Sequence, residues 1–328
     1  MSLLQEIMSS LQDIAGAVQH FIAATPALQA VADMLLVIIP AALLLAFAGM
    51  GFVAATARIL AVIRQRSAYE KCARQLALCG MGLGWLLLVA SRIWLYFQPE
   101  RFPAGSLPSY LVEMSWLLLS LAVLLSSIFF VLWRMLKNMA VLHMTIGIFS
   151  GVMGCVALGV TIISLRFLAA FAHPDTATIG MDRIFPLQWE APFWTSVIYT
   201  LPLVFTMPAA LGAFWLVLRR NRDDFGRDYY NTMIPWCATW ARNGWMLLWL
   251  LLLASAGIQI WHTWQGGGFS QQEAILESSR ILLWLIPALL WTMVCRSAIA
   301  LRHKFTLLAA LCLAAAFTLP WYLEMTRF

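Results

Sequence analysis

Two short stretches put an acidic side chain at the start of a long apolar run: YLVEMSWLLL at 110–119 and LESSRILLWL at 276–285. They place Glu113 and Glu277 164 positions apart. Arg92, Arg166, His173, Gln259, His262 and Arg280 also fall near the ends of apolar runs, at positions that predict one common depth. Ionisable groups inside a membrane are costly and usually mark a site or a pathway. A carboxylate at Glu113 can pair with Arg92 or Arg166, which lowers its burial cost. It can also exchange a proton with a small molecule held between helices. Glu113 and His262 are the candidates for that proton transfer. Arg166, Arg92, Gln259, His173, Glu277 and Arg280 are candidates for hydrogen bonding to the same molecule. The competing structural reading is ion pairs and side chains that snorkel at the lipid interface.

The elements that must position these groups are membrane helices. Hydrophobic residues are 62% of the 328-residue chain and charged residues 11%, whereas soluble domains carry about 25% charged residues. A bilayer core roughly 30 Å thick takes about 20 apolar residues per helix. Eight such stretches are predicted, near 34–58, 75–97, 111–134, 140–172, 192–218, 236–263, 279–297 and 305–325. Ahead of them, Leu3, Leu4, Ile7, Met8, Leu11, Ile14 and Val18 recur at helical spacing. They predict an N-terminal amphipathic helix on the membrane surface within residues 1–32. No basic n-region precedes it, so it does not read as a signal peptide.

The basic residues are lopsided. Arg58, Arg64, Arg66, Lys71, Arg74, Arg134, Lys137, Arg219, Arg220, Arg222, Arg227, Arg242, Arg296, Arg302 and Lys304 flank the loops after spans 1, 3, 5 and 7, and they are 15 of the 21 lysines and arginines. Positive loops face the cytoplasm. Both termini are therefore expected outside, on the periplasmic side of a bacterial inner membrane. No basic patch stands apart from these loops, which argues against nucleic-acid binding.

The second half echoes the first. Pro40–Arg58 matches Pro202–Arg220, Gly84-Trp85 matches Gly244-Trp245, Glu113 matches Glu277 and His143 matches His303, at offsets of 160 to 164. An even unit of four helices gives two halves inserted in the same direction, unlike the inverted repeats of many carriers. The expected fold is an all-α membrane protein of eight transmembrane helices in two parallel-repeat four-helix bundles. Residues 33–172 form one bundle, 173–191 an outer loop and 192–328 the other.

The six cysteines form no CxxC or CxxCH pattern, so no iron–sulfur, zinc or c-type haem motif and no metal site is expected. A b-type haem would need histidines from facing helices at matching depth. His173 with His262, or His143 with His303, are the pairs that could meet, and His20 lies ahead of the spans. No Walker loop, HExxH, GxSxG or strand-linked GxGxxG appears.

Several strings resemble the membrane-anchor subunits of the polysulfide reductase and DMSO reductase type, the NrfD-like family. LLLAFAGMGFVAATARIL resembles that family's small-residue-rich first span, and GLGWLLLVASRIWLYFQPERF its second span and loop. LVEMSWLLLSLAVLL resembles the third span, and LQWEAPFWTSVIYTLPLVF the entry to the fifth. The second span departs from the family by ending in Arg92-Ile93-Trp94, where an acidic residue or histidine is usual, so Glu113 alone carries over as a quinone-site residue. The resemblance implies a subunit that binds quinone or quinol near the outer face, in an apolar cleft with hydrogen-bond partners and a proton acceptor. It implies electron exchange with an extrinsic iron–sulfur or multihaem cytochrome partner docked on that face, with no covalent or metal cofactor in the chain itself. The alternatives are a b-haem cytochrome, a degenerate relative of the cytochrome bd-type large subunit (which needs a first-span histidine absent from 34–58), and a structural anchor or carrier.

Overall fold

The computed structural model describes residues 26–96, 107–172, 188, 192–265 and 271–326. Among them all regular structure is helical: α1 Pro26–Arg64, α2 Ser67–Tyr96, α3 Leu107–Val131, α4 Ala140–Ala172, α5 Pro192–Asp223, α6 Arg227–Gln265, α7 Gln271–Leu283, α8 Ile286–Arg296, a 3₁₀ turn Ala300–His303, α9 Lys304–Ala316 and α10 Thr318–Thr326. They make eight segments long and apolar enough to cross a membrane, with α7–α8 forming the seventh and the 3₁₀ turn with α9–α10 the eighth. The chain is a multi-pass membrane protein.

Several helices outrun their apolar windows. α1 reaches from Pro26 to Arg64 and α6 from Arg227 to Gln265, each 39 residues, or about 58 Å at 1.5 Å per residue. Apolar run length marks only the part that lipid contacts, and polar turns continue the helix beyond it. Residues 26–32, assigned from sequence to the amphipathic helix, are part of α1; residues 1–25 lie outside the described residues. Arg242 also moves. It was expected among the loop-flanking arginines, yet it sits 15 residues inside α6, about 22 Å from that helix's first residue.

Spans 7 and 8 are interrupted, each four residues before a proline, although Pro40, Pro202, Pro208 and Pro235 sit inside helices that continue. Pro287 lacks an N–H and its ring collides with the carbonyl four residues back; α7 stops at that residue, Leu283. Pro320 acts the same way on Ala316, where α9 stops. The first break leaves carbonyls to be satisfied. Leu285 N–H turns to Leu282 O (3.1 Å), freeing Ile281 O, which accepts from Trp249 Nε1 at 2.9 Å. Trp245, one turn earlier on α6, donates to Trp284 O at 2.6 Å. Trp245 is fully buried, and its ring meets Trp284, Trp291 and Phe317. Trp245→Phe keeps most of that packing and orphans one carbonyl. A loss of about 1–3 kcal/mol is expected, read as a lower unfolding midpoint in mild detergent, with Trp249→Phe giving a smaller shift.

The helices pack as two closed rings. In the first, α1 touches α2 and α4, and α3 bridges α2 and α4. In the second, α5 touches α6 and α9, and α8 bridges α6 and α9. The rings join through α1 against α5, with α10 reaching across to α1 and α4. Lipid offers no hydrophobic drive for helices to associate, so close backbone approach through small residues does this work. Gly147 and Gly151 on α4 form a GxxxG face onto which Gly51 of α1 is pressed; a Cβ on Gly51 would lie 2.5 Å from Gly151 N and 2.6 Å from Gly147 O. At the α1–α5 crossing Gly49 meets Val204 O and Pro208.

On the arginine-rich side a polar network ties the rings together. Gln75 of α2 donates to Asp223 (2.6 Å) and accepts from Tyr229 (2.5 Å), and its carbonyl takes Trp215 Nε1 at 3.1 Å. Asp223 is held in turn by Arg219 at 2.7 and 2.9 Å. The α5–α6 turn is tight, and Gly226 takes a φ of +87° there, a conformation glycine adopts without a Cβ clash.

Candidate functional site

Arg92 and Glu113 form an ion pair of 2.8 Å between α2 and α3, with both side chains 54% exposed. The guanidinium lies 5.1 Å from the centre of the Trp116 ring. Of the two arginines within reach of Glu113 on sequence grounds, Arg92 takes it.

Arg166 goes elsewhere. It is 2% exposed on α4, donates to Met325 O of α10 at 2.6 Å and stacks over Phe193 of α5 at 4.5 Å. Beside it, Ser196 of α5 donates to Glu324 of α10 at 2.8 Å. Trp321 Nε1 donates to Thr200 Oγ1 (3.0 Å) and Ser196 O (3.2 Å). These contacts pin α10 into the junction between the rings. Most buried polar groups in proteins are paired in this way.

Glu277 and Arg280 pair within one turn of α7 at 2.6 Å, the spacing at which helix neighbours meet. Glu277 is 24% exposed and Arg280 52%. Behind them, Tyr199 of α5 is buried and shares a 2.7 Å hydrogen bond with Ser255 of α6. The Ser196–Glu324 and Tyr199–Ser255 hydrogen bonds join α5 to α10 and to α6, and the Glu277–Arg280 pair lies on α7, which packs against α6, all on the side opposite the arginine-rich loops. That arrangement offers hydrogen bonds and two partly exposed carboxylates, Glu277 and Glu324, that can accept protons.

Gln259 and His262 are exposed on α6, on a surface that also shows Ile258, Trp261 and Trp264. His173 and the outer loop 173–191, apart from Gln188, lie outside the described residues. His143 is fully buried; its Nε2 bonds Phe129 O at 2.8 Å, and Phe129 and Trp133 cover its ring. Among the described residues no group of histidine, cysteine and acidic side chains is arranged to hold a metal ion.

Sequence reasoning missed Tyr199, Ser196, Ser255 and Glu324. Glu324 carried a signal: in PWYLEMTRF it is the only acid in the last apolar run. The hydroxyl residues carried none, because serines and tyrosines are common in these helices and only packing selects which of them meet. Comparison with protein-family models, curated proteins and solved structures finds no match to this chain.

Proposed function

We propose that this protein is the quinone-interacting membrane subunit of an electron-transfer complex, with its site between α5, α6, α7 and α10. The observations that carry the reading are the Tyr199–Ser255 hydrogen bond between α5 and α6 and the Ser196–Glu324 hydrogen bond between α5 and α10, with the Glu277–Arg280 pair on α7, which packs against α6. The resemblance of the first, second, third and fifth spans to NrfD-like anchors supports it. When bound, a quinol supplies two electrons and two protons on oxidation, and the electrons pass to an extrinsic iron–sulfur or multihaem partner on the outer face. In this scheme Tyr199 and Ser255 hydrogen-bond one ring oxygen. Glu277 accepts a proton near the mouth, and Arg280 steadies its charge. Glu324, held by Ser196, is the second proton acceptor. Arg92–Glu113 is the corresponding carboxylate site of the first half, with Trp116 beneath it. His262 and Gln259 lie on the lipid-facing approach. The charge asymmetry of the loops supports an orientation with this region on the periplasmic side.

The test uses a photoreactive quinone analogue on the purified, detergent-solubilised chain, followed by peptide mapping. Label is expected on α5–α7 peptides and is expected to fall about tenfold in Glu277→Gln, the loss of one hydrogen bond to a charged group of roughly 1.5 kcal/mol. Tyr199→Phe should lower it as well. If Glu113→Gln, and not Glu277→Gln, abolishes labelling, the site belongs to the α2–α3 pair. Labelling that neither variant alters removes the quinone assignment.

A further inference from the structure

On the arginine-rich side, far from the groups just described, the first turns of α2 and α6 enclose a cleft of about 270 Å³ lined by Arg66, Lys71, Asp228, Tyr229, Thr232 and Met233. We infer that this cleft binds the phosphate of a phosphoethanolamine headgroup. The inference is independent of the quinone reading. Its chemistry comes from the side chains. Arg66 and Lys71 supply two cations to one opening, and Lys71 is steadied over the Phe225 ring at 4.8 Å. Guanidinium and ammonium donors form strong, charge-assisted hydrogen bonds to phosphate oxygens. Asp228, exposed at the same opening, is the wrong sign for phosphate and the right sign for an amine. A lining of two cations and one anion therefore suits a phosphodiester that carries an ammonium better than a simple anion.

The floor is apolar and fixed. Tyr229 and Met233 are buried, and Tyr229 is locked through Gln75 to Asp223. Tyr69, on the same wall, accepts from Arg64 at 2.7 Å. The cleft lies at the starts of α2 and α6, among the arginine-rich loops. Two helices start there, at Ser67 and Arg227, and their first-turn dipoles add to the attraction for phosphate.

The shared chemistry has two sources, a membrane lipid or a soluble headgroup such as glycerophosphoethanolamine, and the experiment separates them. The full chain is reconstituted in vesicles of phosphatidylethanolamine with phosphatidylcholine. It is extracted in mild detergent, and retained lipid is counted by native mass spectrometry. Soluble glycerophosphoethanolamine is titrated separately by its protection against thermal unfolding. Wild-type protein is expected to retain phosphatidylethanolamine, and R66Q/K71Q to retain at least fivefold less. The control R74Q/R134Q removes the same charge from exposed positions outside the cleft and is expected to behave as wild type. Loss confined to the soluble compound assigns the cleft to a free headgroup. If R66Q/K71Q matches the control in both arms, the cleft is not a phosphate site.

Discussion

Gly49→Val is expected to cost about 3 kcal/mol or more, the upper range of overpacking penalties, and to lower the unfolding midpoint more than Trp245→Phe or Arg166→Met. The reason lies at the crossing of α1 and α5. Pro208 has no N–H, so the carbonyl of Val204, four residues back, loses its ordinary helical partner. Gly49 of α1 is pressed against that freed carbonyl and against the Pro208 ring. A side chain at 49 would collide with backbone and with a rigid ring, neither of which can rotate aside. The two rings would have to move apart along the contact that joins them. Gly82, whose Cβ would meet nothing within 4 Å, is the control, and Gly82→Val should leave the midpoint close to wild type apart from a small propensity effect. Thermal unfolding in mild detergent measures both. Equal behaviour of the two variants would show that the α1–α5 crossing is looser than described.

Arg166→Met is expected to lower stability by about 3 kcal/mol, made of a buried hydrogen bond to a charged donor, roughly 1.5–3 kcal/mol, and a desolvated cation–π contact of up to roughly 2 kcal/mol. The loss is partly offset because methionine needs no polar partner. Met325 O loses its guanidinium donor, and α10 loses its tie to α4. Arg166→Lys should recover less than half, since an ammonium has no planar fork to span Met325 O and the Phe193 face together. A structural role alone predicts that protease sensitivity of the C-terminal segment rises in step with the loss of stability. Because α10 also carries Glu324, quinone-analogue labelling of α5–α7 should weaken too. A variant that unfolds at the wild-type temperature would mean that the cost of burying the guanidinium cancels what its contacts contribute.

Much of the architecture could be read without coordinates. The eight spans follow from apolar run length, and residues 140–172 coincide with α4 to the residue. The interruptions at Leu283 and Ala316 lie four residues before Pro287 and Pro320, but Pro40, Pro202, Pro208 and Pro235 leave their helices continuous, so proline alone does not mark a break. Sequence reasoning treated spans 7 and 8 as unbroken because hydropathy does not register a missing N–H. Of the candidate site, Glu277–Arg280 was the easiest part, since both residues lie on one turn. Arg92–Glu113 was open to two outcomes. Arg166 was beyond reach, because its partner is a backbone carbonyl 159 positions away, and every residue has a carbonyl. Span 6 was expected from 236 and α6 begins at Arg227, because hydropathy does not register polar helical turns, so Arg242 lies 15 residues into the helix rather than six.

Taken alone, the sequence determined a membrane solvent, the number and approximate extent of the spans, and an asymmetry of positive charge between their two ends. These depend on composition summed along the chain, which lipid reads without regard to which helix faces which. Tertiary structure decided which polar groups share a neighbourhood: Tyr199 with Ser255, Ser196 with Glu324, Arg166 with the carbonyl of Met325. Those choices depend on how closely backbones approach at Gly49, Gly51 and Gly147. Close approach is a property of pairs of surfaces, and no one-dimensional pattern carries it.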